Sequence, residues 1–159
     1  MIYTKQNIVR GLSIYTVGDT IAAIVIGEFA WSRVIGMMII GGTLYALEIP
    51  NYFRWIDRKA EKDKSTKSGL YRTLLAMAYF NPLWIARHLC LIKIISLQFG
   101  DIHWGLIEVG LWSFLVNIPV TFAANYFIQN KLLYQWRFVG SAVFSALMAV
   151  YYAVSEALF

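Results

Sequence analysis

The chain has little charge and almost no cysteine, and each shortage excludes a class of protein. Only 14% of its 159 residues are charged, against about 25% in a typical soluble domain, which is too little to cover a water-soluble globule. The single cysteine, Cys90, excludes an internal disulfide and a cysteine-rich metal site. The two histidines form no zinc motif, and no phosphate loop or nucleophile elbow is present. We therefore predict a non-enzymatic protein with no catalytic residue, cofactor or metal.

Long apolar runs take the place of the missing polar sequence. Hydrophobic residues make up 59% of the chain, and the runs over 109–130 and 138–155 are unbroken. In lipid only helices and closed barrels satisfy their own backbone, and barrel strands would alternate every second residue. We therefore predict an all-α fold, a single transmembrane domain over 1–159. Stretches of about 20 residues predict five spans, over 8–26, 34–53, 71–97, 107–128 and 137–157.

The first predicted span is the weakest because Asp19 interrupts it. Four spans remain if that segment does not cross. The basic residues of the loop 54–70 predict that this loop is cytoplasmic, since short loops rich in Lys and Arg stay inside. Alternation then places the N-terminus inside and Arg33 outside. The net charge of +5 is therefore explained by basic residues on the cytoplasmic side of the membrane, and no nucleic-acid binding is expected.

The loop 54–70 has two interpretations. It is either a solvated connector or a contact for the anionic head groups of membrane lipid, which basic clusters beside a helix attract. No cleavable signal peptide or targeting segment is recognisable. We therefore expect an integral protein of the bacterial inner membrane rather than of an organelle.

Small residues in two of the predicted helices indicate close helix packing. They are, in the second helix, Gly36, Gly41 and Gly42, and in the fifth, Ser141, Ser145 and Ala149. They either pack within one subunit or form the seam of a homo-oligomer. The sequence favours an oligomer or a place in a larger membrane complex.

Ionisable residues within spans are costly, so each one is a hypothesis of function. Those predicted to line a polar path are Asp19, Arg87 and His88. Those near the outer ends of the spans, where they are possible ion-pair partners, are Glu28, Lys93 and Glu108. In the alternative interpretation these charges neutralise one another inside the bundle or extend to the head groups.

Four motifs, in order and approximate spacing, resemble the peroxisomal membrane protein of twenty-two kilodaltons and its Mpv-seventeen-like relatives. They are Gly18-Asp19; Tyr52-Phe53 with Ile56-Asp57-Arg58; Leu74-Leu75 with Phe80 and Pro82; and Pro119 with Asn125-Tyr126. The chain departs from the family at Ala46-Leu47, where the family has Gly-Pro. The resemblance implies a small multi-helix membrane protein with a pore-like function.

A second resemblance is to GtrA-like proteins, four-helix proteins linked to translocation of lipid-linked sugars. It rests on Asn125-Tyr126-Phe127 followed by Asn130-Lys131, and on an internal echo of the first motif at Asn51-Tyr52-Phe53. Three functions stay open. The first is an oligomeric channel or translocator of a solute or lipid head group. The alternatives are an accessory or structural subunit of a larger membrane complex and a small flippase for an anionic lipid-linked substrate.

Overall fold

A computed structural model describes residues 1–60 and 65–158, with side chains up to residue 151. Every regular element in these ranges is helical, which confirms the predicted all-α class. In chain order the α-helices are α1 (Lys5–Val25), α2 (Trp31–Ile40), α3 (Ala46–Lys59), α4 (Thr66–Tyr79), α5 (Pro82–Ile95), α6 (Gly105–Val116), α7 (Ile118–Lys131) and α8 (Tyr134–Leu158). A π-helical turn, Gly41–Tyr45, joins α2 to α3, and a short 3-10 turn, Phe99–Asp101, precedes α6.

Three helical stretches are long and apolar enough to cross a membrane: Lys5–Val25, Trp31–Lys59 and Thr66–Ile95. A fourth candidate span is α6 with α7, which are bent by 72° where they meet. The structure therefore contains apolar helices that are compatible with a membrane protein. The count of five spans and the cytoplasmic N-terminus stay predictions.

The predicted connector 54–70 is helical over much of its described length. Helix α3 continues to Lys59 and α4 begins at Thr66, whereas residues 61–64 lie outside the described part of the chain. The reason is that Lys and Arg are good helix formers, so a loss of hydrophobicity does not end a helix. Ser65 starts α4 instead, because its side chain accepts a hydrogen bond from the Ser68 backbone N–H.

The chain, for which the sequence predicts one domain, divides into two compact units. The first unit comprises Met1–Tyr52 and Gln135–Phe159, and the second comprises Phe53–Tyr134. The first unit therefore holds α1, α2, the π turn, the start of α3, and α8. The second holds the end of α3 and α4 to α7.

Helix α1 and the π turn of the first unit meet backbone to backbone at two glycines. A Cβ atom on Gly11 would overlap the Gly41 carbonyl, and one on Gly41 would overlap the Gly11 carbonyl. Gly42 is less tightly packed, since the Leu12 Cβ would lie 3.5 Å from an added Cβ. Gly41 therefore packs as its sequence spacing predicts, within the chain.

Helix α1 also meets α8 at a small residue. A Cβ on Gly18 would overlap Ala146, which lies beside the small-residue face predicted for the fifth helix. On that face Ser141 is buried, whereas Ser145 and Ala149 are half-buried, as is Gly36 in α2. The close approach of α1 and α8 thus supports packing within one subunit.

The N-terminal segment is held by side chains of the same unit. The Asn51 carboxamide accepts a hydrogen bond from the Ile2 N–H and donates one to the Ile2 carbonyl, both at 2.7 Å. The Tyr3 hydroxyl donates to the Gly42 carbonyl at 3.0 Å. Because Asn51 bonds to the backbone of Ile2, this contact does not depend on which side chain position 2 carries.

Both long helices of the second unit are interrupted. Asn81 caps α5, with its Oδ1 accepting from the Trp84 N–H at 3.0 Å, and Pro82 begins that helix. The other interruption is at Asn117, two residues before Pro119. Helix α5 packs against α6, and α4 packs against α7. The sequence predicts continuous spans at both places, but proline has no N–H to continue the helical ladder and restricts the residue before it.

Candidate functional site

The deepest charges of the first unit form a closed ion pair. Arg33 donates from Nε to Asp19 Oδ2 at 2.9 Å and from Nη2 to Asp19 Oδ1 at 2.8 Å. Each residue is 5% exposed. Two parallel charge-assisted hydrogen bonds are the strongest arrangement available to these groups. Arg33, which charge bias places on the outer side, is thus a buried partner of Asp19.

Glu28 adds a second carboxylate to Arg33. Its Oε2 lies 3.3 Å from Arg33 Nη1, and its side chain is 39% exposed. Gly27, with a positive φ of 72°, turns the chain just before Glu28. Glu28 therefore forms an ion pair whose cation is Arg33.

Sequence spacing contains a signal for the Asp19–Arg33 pair. Asp19 lies six residues before the end of α1, and Arg33 is the third residue of α2. At 1.5 Å per residue, Asp19 is about 9 Å from the hairpin turn, within reach of a long arginine side chain on the neighbouring helix. The signal for this pair is therefore the presence of opposite charges on the two sides of the connection between the first two predicted spans.

Lys93 and Glu108, the other predicted partners, lie in the second unit. Lys93 Nζ donates to Gln98 Oε1 at 3.1 Å and to Asp101 Oδ2 at 3.2 Å. Glu108 is exposed at the start of α6. Lys93 therefore pairs with a carboxylate eight residues later, on the turn that follows its own helix.

Arg87 and His88 are half-buried on α5. The His88 ring stacks on Trp84 with centroids 5.5 Å apart and planes 12° from parallel. Phe80 meets the same indole edge-on at 5.1 Å. His88 is thus part of an aromatic stack that begins at the interruption between α4 and α5. Asp19 belongs to the first unit and Arg87 and His88 to the second.

Hydrogen-bonding side chains join α4 to α7. Asn130 Nδ2 donates to the Gly69 carbonyl at 3.1 Å and lies 3.3 Å from Thr73 Oγ1. Thr73 is fully buried and donates to the same carbonyl at 2.9 Å. The glycine at position 69 allows this approach, since an added Cβ would lie 3.2 Å from Asn130 Oδ1.

Gln129, next to Asn130, has no such partners. Its side chain is 0% exposed, and neither Nε2 nor Oε1 has a hydrogen-bond partner among the described residues. One turn earlier Asn125 is 2% exposed and donates to the Thr121 carbonyl at 2.9 Å. Buried polar groups are nearly always paired, and an unpaired one needs an explanation. Composition and hydropathy give no signal for Gln129, because they do not report which polar residues are buried.

The buried polar residues of the second unit are all uncharged. In the described part of the chain they are Ser68, Thr73, Asn117, Asn125 and Gln129. No group of three or more His, Cys, Asp or Glu side chains in that part is placed to hold a metal ion. The arrangement offers neutral donors and acceptors within a membrane-type helix pair.

No family model, curated protein or solved structure matches the chain. The two sequence resemblances therefore stay predictions, and the functional argument rests on the geometry.

Proposed function

We propose that the chain is a translocator of a polar solute in the bacterial inner membrane and that the solute passes through the second unit. The observation that carries this proposal is the interruption of both long helices of that unit, one of them at the buried Asn117, together with the neutral polar side chains that the unit buries. Membrane transporters characteristically bind their substrates at broken helices.

A broken helix within a membrane leaves backbone groups without helical partners. Such backbone is tolerated at membrane depth where protein buries it or where it lines a cavity. Asn117 is 8% exposed and donates to the Ser113 carbonyl at 3.0 Å, which satisfies one of these groups. A helix that served only as a membrane anchor would need neither the break nor the neutral polar residues that follow it.

Five spans with a cytoplasmic N-terminus belong to this proposal. Helix α8 has 25 residues and is about 37 Å long, enough to cross the hydrocarbon core. Counting α6 with α7 as one bent span then gives five. The basic residues around the α3–α4 connection support a cytoplasmic position for it.

The Asp19–Arg33 pair has a structural role in this proposal. All the oxygens of the Asp19 carboxylate accept hydrogen bonds from Arg33, and the pair joins α1 to α2. A carboxylate that lined a path for ions would keep at least one oxygen free to contact the passing ion. We therefore place the translocation path in the second unit.

Reconstitution of the purified protein into liposomes tests the proposal. Uptake of small polar solutes is measured against protein-free vesicles, with wild type, Asn125→Leu and the exposed control Gln135→Leu. We expect uptake by wild type and the control, and a loss of about tenfold or more in Asn125→Leu, because apolar replacement removes a buried polar group.

Equal permeability of protein-containing and protein-free vesicles to every solute would overturn the proposal. Gentle extraction from the native membrane then identifies the alternative. A fixed ratio to a larger complex would indicate an accessory subunit, whereas a discrete homo-oligomer without a partner would favour a self-contained channel or transporter.

A further inference from the structure

We propose that Gln129 contacts the transported solute and that this solute is an uncharged molecule bearing hydroxyl or amide groups. The inference rests on the proposed function and names its substrate class. Its starting point is the Gln129 carboxamide, which is fully buried with both polar atoms unpartnered in the described residues.

An unpaired buried carboxamide is costly to retain. The group loses its hydration on folding and gains no hydrogen bond in return, and leucine would fill a similar volume without that cost. The neighbouring Asn130 shows that amides on α7 can be satisfied by α4. The free capacity of Gln129 is therefore available for a group that the folded chain does not contain.

The chemistry of the carboxamide defines that group. It offers two N–H donors and one carbonyl acceptor, so its complement both donates and accepts. Hydroxyl and amide groups do this without a net charge, whereas a phosphate ion does so only as an anion. The other buried polar residues of the second unit are also neutral, so no buried charge there offsets the desolvation of an ion.

The strongest competing substrate is an anion. Arg72 and Arg87 are half-buried in the same unit and both carry positive charge. The experiment therefore needs a neutral arm and an anionic arm of similar size.

The position of Gln129 indicates how the solute reaches it. Gln129 lies two residues before the end of α7, and α7 is joined to α6 by the 72° bend at Asn117. Because the side chain is 0% exposed, a solute meets it only after α7 moves. This favours a carrier that opens at one end over a permanently open pore, with the bend as the hinge.

The test uses liposomes containing the full-length protein and three probes: glycerol, urea and phosphate. We expect wild type to admit glycerol and urea faster than protein-free vesicles and to exclude phosphate. Gln129→Leu should slow the neutral solutes about tenfold, since one or two hydrogen bonds are lost. The exposed change Gln135→Leu should stay within about twofold of wild type.

Thermal unfolding of the same variants provides a second readout. Gln129→Leu should raise the unfolding midpoint by about 3 °C, because it removes an unsatisfied polar group from the interior. A lower midpoint would mean that the amide has a structural partner, and would overturn its assignment to the solute.

The possible failures are distinguishable. Transport of phosphate without glycerol or urea would overturn the substrate class while leaving the translocator proposal intact. Equal rates for Gln129→Leu and Gln135→Leu would overturn the site. No transport of any probe or of the solutes tested above would overturn the proposed function itself.

Discussion

The two units differ in the polar groups that they bury. The first unit buries charged side chains, and two of them, Asp19 and Arg33, satisfy each other through two hydrogen bonds. In the second unit the buried polar groups are neutral, and Gln129 is left without a partner among the described residues. A closed pair fixes two helices but has no capacity left for a ligand. An open amide costs stability and keeps that capacity.

The units also differ in how their main helix pairs are joined. Helix α1 crosses the π turn at Gly11 and Gly41 with no side chain between the backbones. Helix α4 is joined to α7 by the hydrogen bonds of Asn130. The first contact depends on shape and the second on hydrogen bonding, so the two should respond differently to substitution.

Breaking the ion pair should have the largest effect. Arg33→Met leaves Asp19 buried without its cation, which costs about 3–5 kcal/mol of unfolding free energy. The double variant Asp19→Leu with Arg33→Met should recover most of that loss, because the only carboxylate then left without Arg33 is Glu28, which is 39% exposed. Thermal unfolding in detergent measures both. Lys93→Met is the control, since Lys93 pairs with a carboxylate that is 56% exposed and such pairs contribute about 0–1 kcal/mol. Equal destabilisation by both single changes would contradict the contrast.

A methyl group at the glycine crossing should have the second largest effect. Gly11→Ala places a Cβ against the Gly41 carbonyl and should cost about 1–3 kcal/mol, because backbone cannot shift as a side chain can. Gly42→Ala is the matched control, with an ordinary 3.5 Å contact to Leu12. Tolerance of alanine at position 11 would mean that the two helices do not approach this closely.

The smallest effect belongs to the second unit. Asn130→Leu removes the hydrogen bonds to Gly69 and Thr73 and should cost about 1–2 kcal/mol, the usual range for buried neutral hydrogen bonds. The measurement is the same unfolding assay, with the exposed Gln135→Leu as reference. A loss as large as that of Arg33→Met would mean that neutral and charged buried groups contribute alike, and the comparison of the two units would fail.

The sequence predicts the helical membrane class well because long apolar runs have one physical explanation. It predicts the interruptions less well, although Asn81-Pro82 and Pro119 are visible signals, because hydropathy averages across them. It marks Asp19 and Glu28 as costly charges, Asp19 as the lining of a polar path and Glu28 as a possible ion-pair partner. It does not reveal that Arg33 pairs with both, because charge bias places Arg33 outside the membrane. Whether the Gln129 side chain is buried and hydrogen-bonded depends on which helices pack together, and no local sequence pattern contains that information.

The π turn keeps the buried residues before and after it on the same side of the helix. Met37, Gly41, Tyr45 and Ile49 are four residues apart and all buried. On a regular α-helix each four-residue step advances by 400°, so the buried face would rotate by about 40° per step. A turn that contains an extra residue absorbs part of this rotation and keeps a spacing of four on one side of the helix. If the same five residues formed a regular α-helix, the extra residue would rotate everything after Tyr45 by about 100°. Asn51 would then no longer face Ile2, so the π turn in the middle of the helix keeps Asn51 in place to hold the N-terminal segment.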